Sequence, residues 1–406
     1  MSKTVLVLGG DGFCGWPTSL HLSALGHEVV IADNFARRRI AEELDAPSLT
    51  PIASIDERLN TWKDVSGHDI DIVELDIAHD YPELRRLLAS VRPDAIVHFA
   101  EQRAAPYSMR DAAHKVYTVD NNINGTHNVL AAMAELRLDA HLVHLGTMGV
   151  YGYGSDGLEI PEGYLDINID GPDGARYPRK ILYPSRPGNI CHLTKSMDQL
   201  MFQFYAGNDH LRITDLHQGI VWGTQTEETR LDPALINRFD YDGDFGTVLN
   251  RFLMQAAAGH PLTVNGTGGQ TRAFINIQDT VRCVALALDN PPAAGDPVRI
   301  INQIAETHRV RDLAELVSRL TGAEIEYVDN PRSEAAENEL AVSNATLRGL
   351  GLEPILLRDA LLTETVDIAL RFIERANFDA IPATVSWSGG VEREIPQIEA
   401  PRFALR

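Results

Sequence analysis

Hydrophobic and polar positions change period repeatedly along the first half of the chain. Short apolar runs bounded by turn residues predict strands, and apolar residues at every third or fourth position predict helices. The predicted strands are Thr4–Leu8, Glu28–Ala32, Ile72–Leu75, Ala95–Phe99 and His141–Leu145. The predicted helices between them are Phe13–Leu25, Tyr81–Val91 and Asn121–Leu136. This alternation predicts an α/β fold, a Rossmann-type doubly wound parallel sheet with helices on both faces.

The pattern changes after residue 151. Residues 152–189 are rich in Gly, Pro, Tyr and Asp and predict a long loop or a hairpin. The elements predicted beyond it are a helix at Cys191–Tyr205, a strand at Ile213–Ile220, and helices at Gly246–Ala258 and Arg309–Thr321. From about residue 381 no clear period is present.

Three parts of the chain are expected from this organisation. Residues 1–220 form the Rossmann domain, to which residues 270–300 return. Residues 221–269 and 301–380 form a smaller C-terminal substrate-binding domain, and residues 381–406 form a C-terminal arm.

A glycine-rich turn joins the first predicted strand to the first predicted helix. Gly9, Gly12 and Gly15 are spaced G-x-x-G-x-x-G in GGDGFCG. The first glycine allows a tight turn, the second lets the backbone approach a pyrophosphate, and the third lets the helix pack close to the strand. The helix N-terminus then faces the phosphates with its partial positive charge. The turn therefore predicts a dinucleotide site.

Asp33 follows the second predicted strand, and its carboxylate is placed to bind the adenosine ribose and to disfavour a 2′-phosphate. Three arginines lie close by, Arg37, Arg38 and Arg39, and they favour NADP with its 2′-phosphate. We nevertheless expect NAD because of Asp33. Asp76 either binds the adenine amino group or is a solvated loop aspartate. The complete set of predicted cofactor contacts is Gly9, Gly12, Phe13, Cys14, Gly15, Asp33, Asn34, Arg37, Asp76, Ile77, Phe99, Lys195 and Gln218.

Composition limits the partners of this protein. Of its 406 residues, 44% are hydrophobic and 23% are charged, as is usual for an α/β enzyme with a large core. A net charge of −21 opposes binding to nucleic acid and to anionic membranes, so an anionic substrate has to meet a local basic cluster. The three cysteines are too widely spaced for a disulfide framework or a zinc site. We therefore expect a cytoplasmic protein without a metal, and the chain shows neither an apolar run long enough to span a membrane nor a secretory signal.

Residues suited to alcohol oxidation lie at the end of the fifth strand and on the helix that follows residue 190. They resemble those of the short-chain dehydrogenases, which use a Ser or Thr at that strand end and a Tyr-x-x-x-Lys pair on the helix. Thr147 and Lys195 match, but Cys191 stands where the tyrosine is expected. Beside Lys195 and the nicotinamide cation, the thiol is a candidate base, since a cysteine ionises more readily than a tyrosine. The alternative is an inert buried thiol.

Two further kinds of group are candidates for proton transfer. Tyr151, Tyr177 or Tyr183 could supply a phenol from the long loop. His192, directly after Cys191, titrates near neutral pH and suits removal of a proton from carbon. The alternative for His192 is a histidine on the helix surface.

The chain also resembles one branch of the extended short-chain dehydrogenases, the UDP-sulfoquinovose synthases. EQRAAPYSM, FDYDGDFGT and NPRSEAAEN are typical of that branch rather than of the superfamily. The other matching segments, between residues 9 and 338, are GGDGFCGWPTSLHLS, DNFARR, SLTPIASIDER, VYTVDNNINGTHNVL, HLVHLGTMG, TDLHQGIVWG and GHPLTVNGTGGQTR.

The resemblance implies tightly held NAD that is reduced and reoxidised within one turnover. Oxidation of the sugar at carbon 4 acidifies the proton on carbon 5, and loss of that proton with the carbon 6 hydroxyl gives an enone. Sulfite then adds to carbon 6, and carbon 4 is reduced. Thr147, His192 and Lys195 match the catalytic positions of the family. Gln218, Arg251, Arg272 and Arg332 lie in motifs that hold the nucleotide-sugar.

The predicted substrate contacts are Gln102, Arg103, Met148, Tyr151, His217, Arg251, Gln270, Arg272 and Arg332. Of these, Arg272 and Arg332 suit a clamp on a diphosphate, because guanidinium groups bind it bidentately.

Four departures from the branch are expected to lie near the reacting sugar. They are Cys191 for a tyrosine, Val150 for a glutamate, His217 for an asparagine, and a longer loop containing PRKILYPSRPGN. Three hypotheses therefore remain. The first is an NAD-dependent dehydratase that converts a nucleotide-linked or nucleoside hexose to a 5,6-ene sugar without sulfite. The second is a UDP-sulfoquinovose synthase that takes sulfite, and the third is a non-catalytic NAD-binding sensor. A homodimer is expected in each case.

Overall fold

The computed structural model describes residues 2–152, 154, 157–330, 332, 334–357 and 362–381. The strands within these residues are β1 Thr4–Leu8, β2 Glu28–Asp33, β3 Ile70–Glu74, β4 Ala95–His98, β5 His141–Leu145, β6 Glu159–Ile160, β7 Tyr164–Asp170, β8 Arg176–Leu182, β9 Arg212–Gln218, β10 Ile220–Trp222, β11 Leu262–Asn265, β12 Thr271–Asn276, β13 Arg299–Gln303, β14 Glu306–Arg309, β15 Ile325–Val328 and β16 Ala341–Val342. The α-helices are α1 Gly15–Ala24, α2 Ala36–Glu43, α3 Ile55–Ser66, α4 Tyr81–Val91, α5 Ala105–Met109, α6 Ala112–Val119, α7 Gly125–Glu135, α8 Ile190–Asn208, α9 Val248–Ala257, α10 Ile277–Asp289, α11 Val310–Thr321, α12 Ala345–Gly349 and α13 Leu362–Phe372.

A seven-stranded parallel sheet forms the centre of the molecule, in the order β13-β9-β5-β4-β1-β2-β3. Strands are added outward on one side of β1 as β2 and β3, and on the other side as β4, β5, β9 and β13. In a doubly wound sheet the point where the order reverses leaves a crevice at the carboxyl ends of the strands. Here that point lies between β1 and β4. The predicted Rossmann-type fold is confirmed.

Two apolar cores cover the two faces of this sheet. In β1, Val5 and Val7 pack on one face with Trp16 of α1, while Leu6 and Leu8 pack on the other. All five side chains are fully buried. Successive residues of a strand point to opposite faces, so a strand that is covered on both sides is apolar at every position. The apolar run TVLVL is therefore explained by its central place in the sheet.

Smaller elements form a second layer at the carboxyl edge of the sheet. The three-stranded sheet β10-β12-β14 and the pair β11-β15 pack with α9 and α11 around a separate apolar core. From residues 270–300, α10 packs into the core that holds Val5, and β13 pairs with β9. The division of the chain into domains stays a prediction. Residues 382–406, most of the predicted arm, lie outside the described residues.

One predicted strand is divided in the structure. Ile213–Ile220 was expected to be continuous, but β9 ends at Gln218 in the large sheet and β10 begins at Ile220 in the three-stranded sheet. A Cβ atom on Gly219 would lie 2.9 Å from the carbonyl oxygen of Ala273, so the chain passes too close to β12 for any side chain at this position. The division lets the chain leave the large sheet at the edge of the crevice.

The long loop predicted at residues 152–189 is partly a hairpin. Strands β7 and β8 pair antiparallel, which confirms the hairpin alternative. Sequence periodicity did not predict α2, α3 or α10. In α2 the residues ARRRIAEE carry few apolar positions, so no stripe identifies the helix. No helix in the described part of the chain has the length and apolar character needed to cross a membrane.

Candidate functional site

A cavity of about 420 Å³ opens at the carboxyl ends of β1, β4, β5 and β9. It begins at the glycine-rich turn, passes the end of β5, and reaches the basic side chains of the second layer. Every residue predicted to contact the cofactor or the substrate lines this cavity, apart from Tyr151 and His217. The roles of these residues stay predictions.

The turn after β1 forms a cradle for a ligand, because two of its glycines leave no room for a side chain. Gly9 has a φ of 79°, and a Cβ atom on it would lie 2.8 Å from the backbone nitrogen of Ala100. A Cβ atom on Gly15, where α1 begins, would overlap the carbonyl oxygen of Gly9. Backbone N–H groups and the N-terminus of α1 therefore line this end of the cavity, an arrangement that fits a pyrophosphate.

Asp33 lies at the end of β2 with its carboxylate held in place by the backbone. It accepts hydrogen bonds from the N–H groups of Asp11 at 2.8 Å and Phe35 at 2.7 Å. Burial raises the pKa of Asp33 to about 6, so the group is ionised at neutral pH. A carboxylate at this position fits the ribose hydroxyls of NAD.

The three arginines after β2 are engaged within the protein. Arg38 forms a bidentate pair with Asp11, at 2.6 and 2.8 Å. Arg39 donates to the carbonyl oxygen of Asn34, and Arg37 donates to Asp240 at 3.0 Å. Neither Arg38 nor Arg39 lines the cavity. Because these arginines are engaged within the protein, they no longer favour the 2′-phosphate of NADP. The cradle and Asp33 together fit NAD.

Thr147 and Lys195 both line the cavity. Thr147 follows β5, and its Oγ1 accepts a hydrogen bond from the N–H of Gly149 at 3.1 Å. Lys195, on α8, donates to the carboxylate of Glu101 and to the carbonyl oxygen of Leu145. Burial by itself would lower the pKa of Lys195, but Glu101 outweighs it and raises that pKa above its usual value. Lys195 is therefore a fixed cation.

A buried network of charged side chains continues from the ion pair between Lys195 and Glu101. His144 contacts Glu101 at 3.3 Å and Asp215 at 2.8 Å. Despite burial, Lys195 and His144 hold the pKa of Glu101 well below its usual range, while burial and the neighbouring Glu101 raise the pKa of Asp198. Glu101 was missed by the sequence predictions. The sequence feature that could have identified Glu101 is a carboxylate shortly after the apolar strand β4, beside the point where the strand order of the sheet reverses.

Cys191 lines the cavity, but its surroundings oppose ionisation. Only 2% of the residue is exposed, and Sγ donates to the carbonyl oxygen of Gln102 at 3.4 Å. Burial raises the pKa of the thiol to about 12, although Lys195 acts in the opposite direction. Desolvation therefore outweighs the nearby Lys195 cation, and the role of Cys191 as a base stays a prediction. The structure favours the protonated, inert alternative.

Two predicted substrate contacts point away from the cavity. Tyr151 donates through its hydroxyl to Oδ1 of Asn302 at 3.0 Å and contacts Nδ1 of His217 at 2.7 Å. His217 is fully buried and also contacts Asp215 at 2.9 Å. Neither side chain lines the cavity, since both lie in a buried polar cluster with Asp215 and Asn302, and their roles as substrate contacts stay predictions.

Val150, another departure from the resembled branch, and the two remaining candidate phenols also lie outside the cavity lining. Val150 is buried in an apolar cluster with Ile160, and Tyr183 packs edge-on against Tyr151. Tyr177 lies on the exposed hairpin and donates to Asp173 at 2.7 Å. None of these three side chains lines the cavity. Among the substituted positions only Cys191 lines the cavity, and the expectation that all four departures lie near the reacting sugar stays a prediction.

Three arginines line the far end of the cavity. Arg272 donates to the carboxylate of Glu334 and to the carbonyl oxygen of Thr271, and Arg332 lies nearby. Burial and the neighbouring Arg332 lower the pKa of Arg251 to about 10. Nε of Arg251 is buried and has no hydrogen-bond partner among the described residues. An unpaired buried guanidinium nitrogen beside two more arginines fits an anionic group such as a diphosphate.

A segment of residues 237–247 closes the cavity above the glycine-rich turn. Asn237 donates to the carbonyl oxygen of Phe13 at 2.9 Å. Asp240 accepts from Arg37, Arg103 and Arg238, at 3.0, 2.8 and 3.0 Å. Despite burial, these three guanidinium groups hold the pKa of Asp240 well below its usual range. Asp240 was not predicted from sequence, and it ties this segment to both sides of the cavity.

Comparisons with known proteins agree with this geometry. The profile of the NAD dependent epimerase/dehydratase family matches residues 5–175 and 233–302. The chloroplastic UDP-sulfoquinovose synthase of Spinacia oleracea is 45% identical over 390 residues, which cover 95% of this chain and 79% of that protein. The UDP-sulfoquinovose synthase of Sulfolobus acidocaldarius is 41% identical over 359 residues, covering 86% and 88%.

Solved structures share the fold at low sequence identity. The UDP-glucose 4-epimerase of Brucella ovis in complex with NAD has a TM-score of 0.66 at 21% identity, with 91% of this chain and 98% of that chain covered. The dTDP-glucose 4,6-dehydratase of Bacillus anthracis in complex with NAD has a TM-score of 0.65 at 17% identity, with 92% and 99% covered. These similarities show the Rossmann-type architecture.

Proposed function

This chain belongs to the NAD-dependent epimerase/dehydratase family, in the branch of the UDP-sulfoquinovose synthases, and from that premise we propose that it is a sugar dehydratase. It would oxidise carbon 4 of a nucleotide-linked or nucleoside hexose transiently, eliminate water across carbons 5 and 6, and return the hydride to give a 5,6-ene sugar. As an NAD-dependent enzyme of the short-chain dehydrogenase/reductase superfamily, it is not the non-catalytic sensor.

One observation carries the proposal: a single cavity joins an NAD cradle, Thr147 and Lys195, and a basic end. When bound, NAD supplies acceptance and return of the hydride. The hydroxyl of Thr147 accepts from Gly149, so its hydrogen is available for a sugar oxygen. The arginines suit the diphosphate of a nucleotide-sugar. These features support oxidation of a bound sugar.

The state of Cys191 supports the dehydratase over the sulfonating enzyme in this proposal. Cys191 stands where the sequence pattern leads us to expect a tyrosine, and burial raises the pKa of its thiol to about 12, so the thiol stays protonated at neutral pH. A thiol that does not ionise cannot take the part expected of that tyrosine, whereas Thr147 and Lys195 of the oxidation apparatus line the cavity. The 45% identity to a UDP-sulfoquinovose synthase supports the second candidate, in which sulfite is a co-substrate.

Mass spectrometry of the product separates the two candidates. We expect NAD-loaded enzyme incubated with UDP-glucose to yield a product lighter by one water, whether sulfite is present or omitted. The Lys195→Met variant serves as the inactive control. A sulfonated sugar that forms only with sulfite would instead establish the synthase, and no new product in either arm would contradict both candidates for UDP-glucose.

Tight retention of NAD is part of the proposal. The segment 237–247 is fixed to the turn after β1 through Asn237 and to Arg37 and Arg103 through Asp240. These contacts lie on both sides of the cradle, so a bound dinucleotide would leave only after they open. Retention suits a cofactor that is regenerated within each turnover.

A homodimer through α8 is the proposed assembly. Leu193, Met197, Leu200 and Phe204 recur at helical spacing and are 39–64% exposed. An exposed apolar stripe of this kind is typical of a protein–protein interface. We expect sedimentation to give a dimer for the parent chain and a monomer for the Leu200→Glu/Phe204→Glu variant. A parent monomer would contradict this assembly.

A reducing compartment such as the cytoplasm is the proposed location. Cys14, Cys191 and Cys283 are all free and buried. Thiols of this kind persist in a reducing environment. The relative from Spinacia oleracea is chloroplastic, so the compartment stays a proposal.

A further inference from the structure

Asn189 joins the start of α8 to the ring of His192. As the N-cap residue, it accepts a hydrogen bond through Oδ1 from the backbone N–H of His192 at 2.9 Å. Its Nδ2 lies 3.0 Å from Nδ1 of the His192 ring. Asn189 is 6% exposed, so both contacts are shielded from water.

These two contacts determine which ring nitrogen of His192 carries the proton. A backbone N–H can only donate, so the side-chain atom that faces it has to be the amide oxygen. The other end of the Asn189 amide is then NH₂, which can also only donate. Nδ1 of His192 is therefore an acceptor without a hydrogen, and in a neutral ring the proton lies on Nε2.

The ring is neutral and fixed in place. Burial lowers the pKa of His192 to about 3, and the cations facing it, Arg332, Lys195 and Arg272, act in the same direction. A Cβ atom on Gly149 would overlap the ring, so the loop after β5 packs directly on its face. A neutral imidazole with one defined tautomer results.

We propose that Asn189 is a positioning residue that holds His192 as the Nε2–H tautomer, so that His192 offers the sugar a hydrogen-bond donor and not a base. This deepens the proposed function and rests on it for the identity of the ligand, a hexose with an oxygen at the reacting carbon. Nδ1 is occupied by Asn189, and Nε2 already carries a hydrogen. The sequence-based expectation that His192 removes the carbon 5 proton is thereby replaced.

A neutral donor has a defined use in this chemistry. Loss of the proton next to the ketone, which leaves with the carbon 6 hydroxyl as water, places negative charge on the ketone oxygen, and a fixed N–H directed at that oxygen stabilises the charge. A neutral histidine can do this without transferring its proton, because its N–H is too weak an acid to be lost. We therefore assign Nε2–H of His192 to a sugar oxygen on which charge develops.

Nitrogen NMR of isotope-labelled histidine in the NAD-loaded protein tests the tautomer without any substrate. The His192 signal is identified by its loss in a His192→Gln variant. At neutral pH we expect a neutral ring with a protonated Nε2 and a bare Nδ1. A protonated Nδ1, or a charged ring, in the parent protein overturns the proposal.

Asn189→Asp is the informative variant, because aspartate keeps the N-cap acceptor and replaces the NH₂ donor by a second acceptor. We expect the proton to move to Nδ1, the pKa of His192 to rise, and turnover of UDP-glucose to fall about 10²-fold. Asn276→Asp, the same change at the N-cap of α10, is the matched control and should leave the His192 signal unchanged. A His192 tautomer unaltered by Asn189→Asp also overturns the proposal. Since the NMR result needs no sugar, failure of the dehydratase assay alone would count only against the proposed function.

Discussion

Replacement of Lys195 by methionine is expected to abolish sugar oxidation and to weaken the fold at the same time. Methionine is similar in length but carries no charge, so the buried carboxylate of Glu101 loses its main partner. Removal of one member of a buried ion pair typically lowers the free energy of unfolding by about 3–5 kcal/mol. Turnover should fall by about 10²–10⁴-fold, the usual range for a group that supports proton transfer.

Two matched variants separate the catalytic loss from the loss of stability. In Lys195→Met/Glu101→Gln, the unpaired charge is absent, so denaturant unfolding should show most of the stability restored while sugar oxidation stays absent. Cys191→Ala should keep turnover within a few-fold of the parent, because a thiol with a pKa of about 12 does not ionise at neutral pH. If Cys191→Ala lost activity as fully as Lys195→Met, the thiol would be the base after all.

Replacement of Asp240 by asparagine is expected to release NAD. Asparagine has the same shape, but it leaves the guanidinium groups of Arg37, Arg103 and Arg238 without their shared carboxylate in a site that is 5% exposed. Mutual repulsion of these cations should open the segment 237–247. We expect the dissociation constant for NAD to rise by about 10–100-fold, corresponding to about 1.4–2.8 kcal/mol.

The NAD content of the purified protein measures this effect independently of activity. Asp244→Asn is the comparison within the same segment, because Asp244 pairs with one arginine, Arg110, whose side chain is 32% exposed. Its effect on NAD retention should be smaller, since water can solvate the arginine that loses its partner. Equal NAD loss in the two variants, or full retention in Asp240→Asn, would count against a closing role for Asp240.

The parallel sheet and the cofactor cradle were predictable because they depend on local rules. Residues 5–8 of β1 are all apolar because the strand lies between two helical layers, and that signal survives in a single sequence. Gly9 and Gly15 are likewise required by the backbone, which leaves no room for a Cβ atom. The glycine motif and the resemblance to one branch of the family together pointed to residues nearly all of which line the cavity.

Contacts between polar residues that are far apart in the sequence were not predictable. Glu101 reaches Lys195 across 94 positions, and Asp240 reaches Arg37 across 203. Tyr151 and His217 lie in catalytic-looking motifs, yet they contact each other in a buried cluster with Asp215 and Asn302. No period or spacing in the sequence records these contacts.

The sequence by itself determined the α/β class, the NAD cradle and the membership of a sugar-modifying branch, because each depends on residues close together in the chain. The tertiary structure decided the protonation of Cys191, the ring tautomer of His192 and the pairing of Lys195. These properties depend on burial and on the orientation of neighbouring dipoles and charges. They follow from the way α8 lies beside the ends of β4 and β5, where Lys195 donates to Glu101 and to the carbonyl oxygen of Leu145.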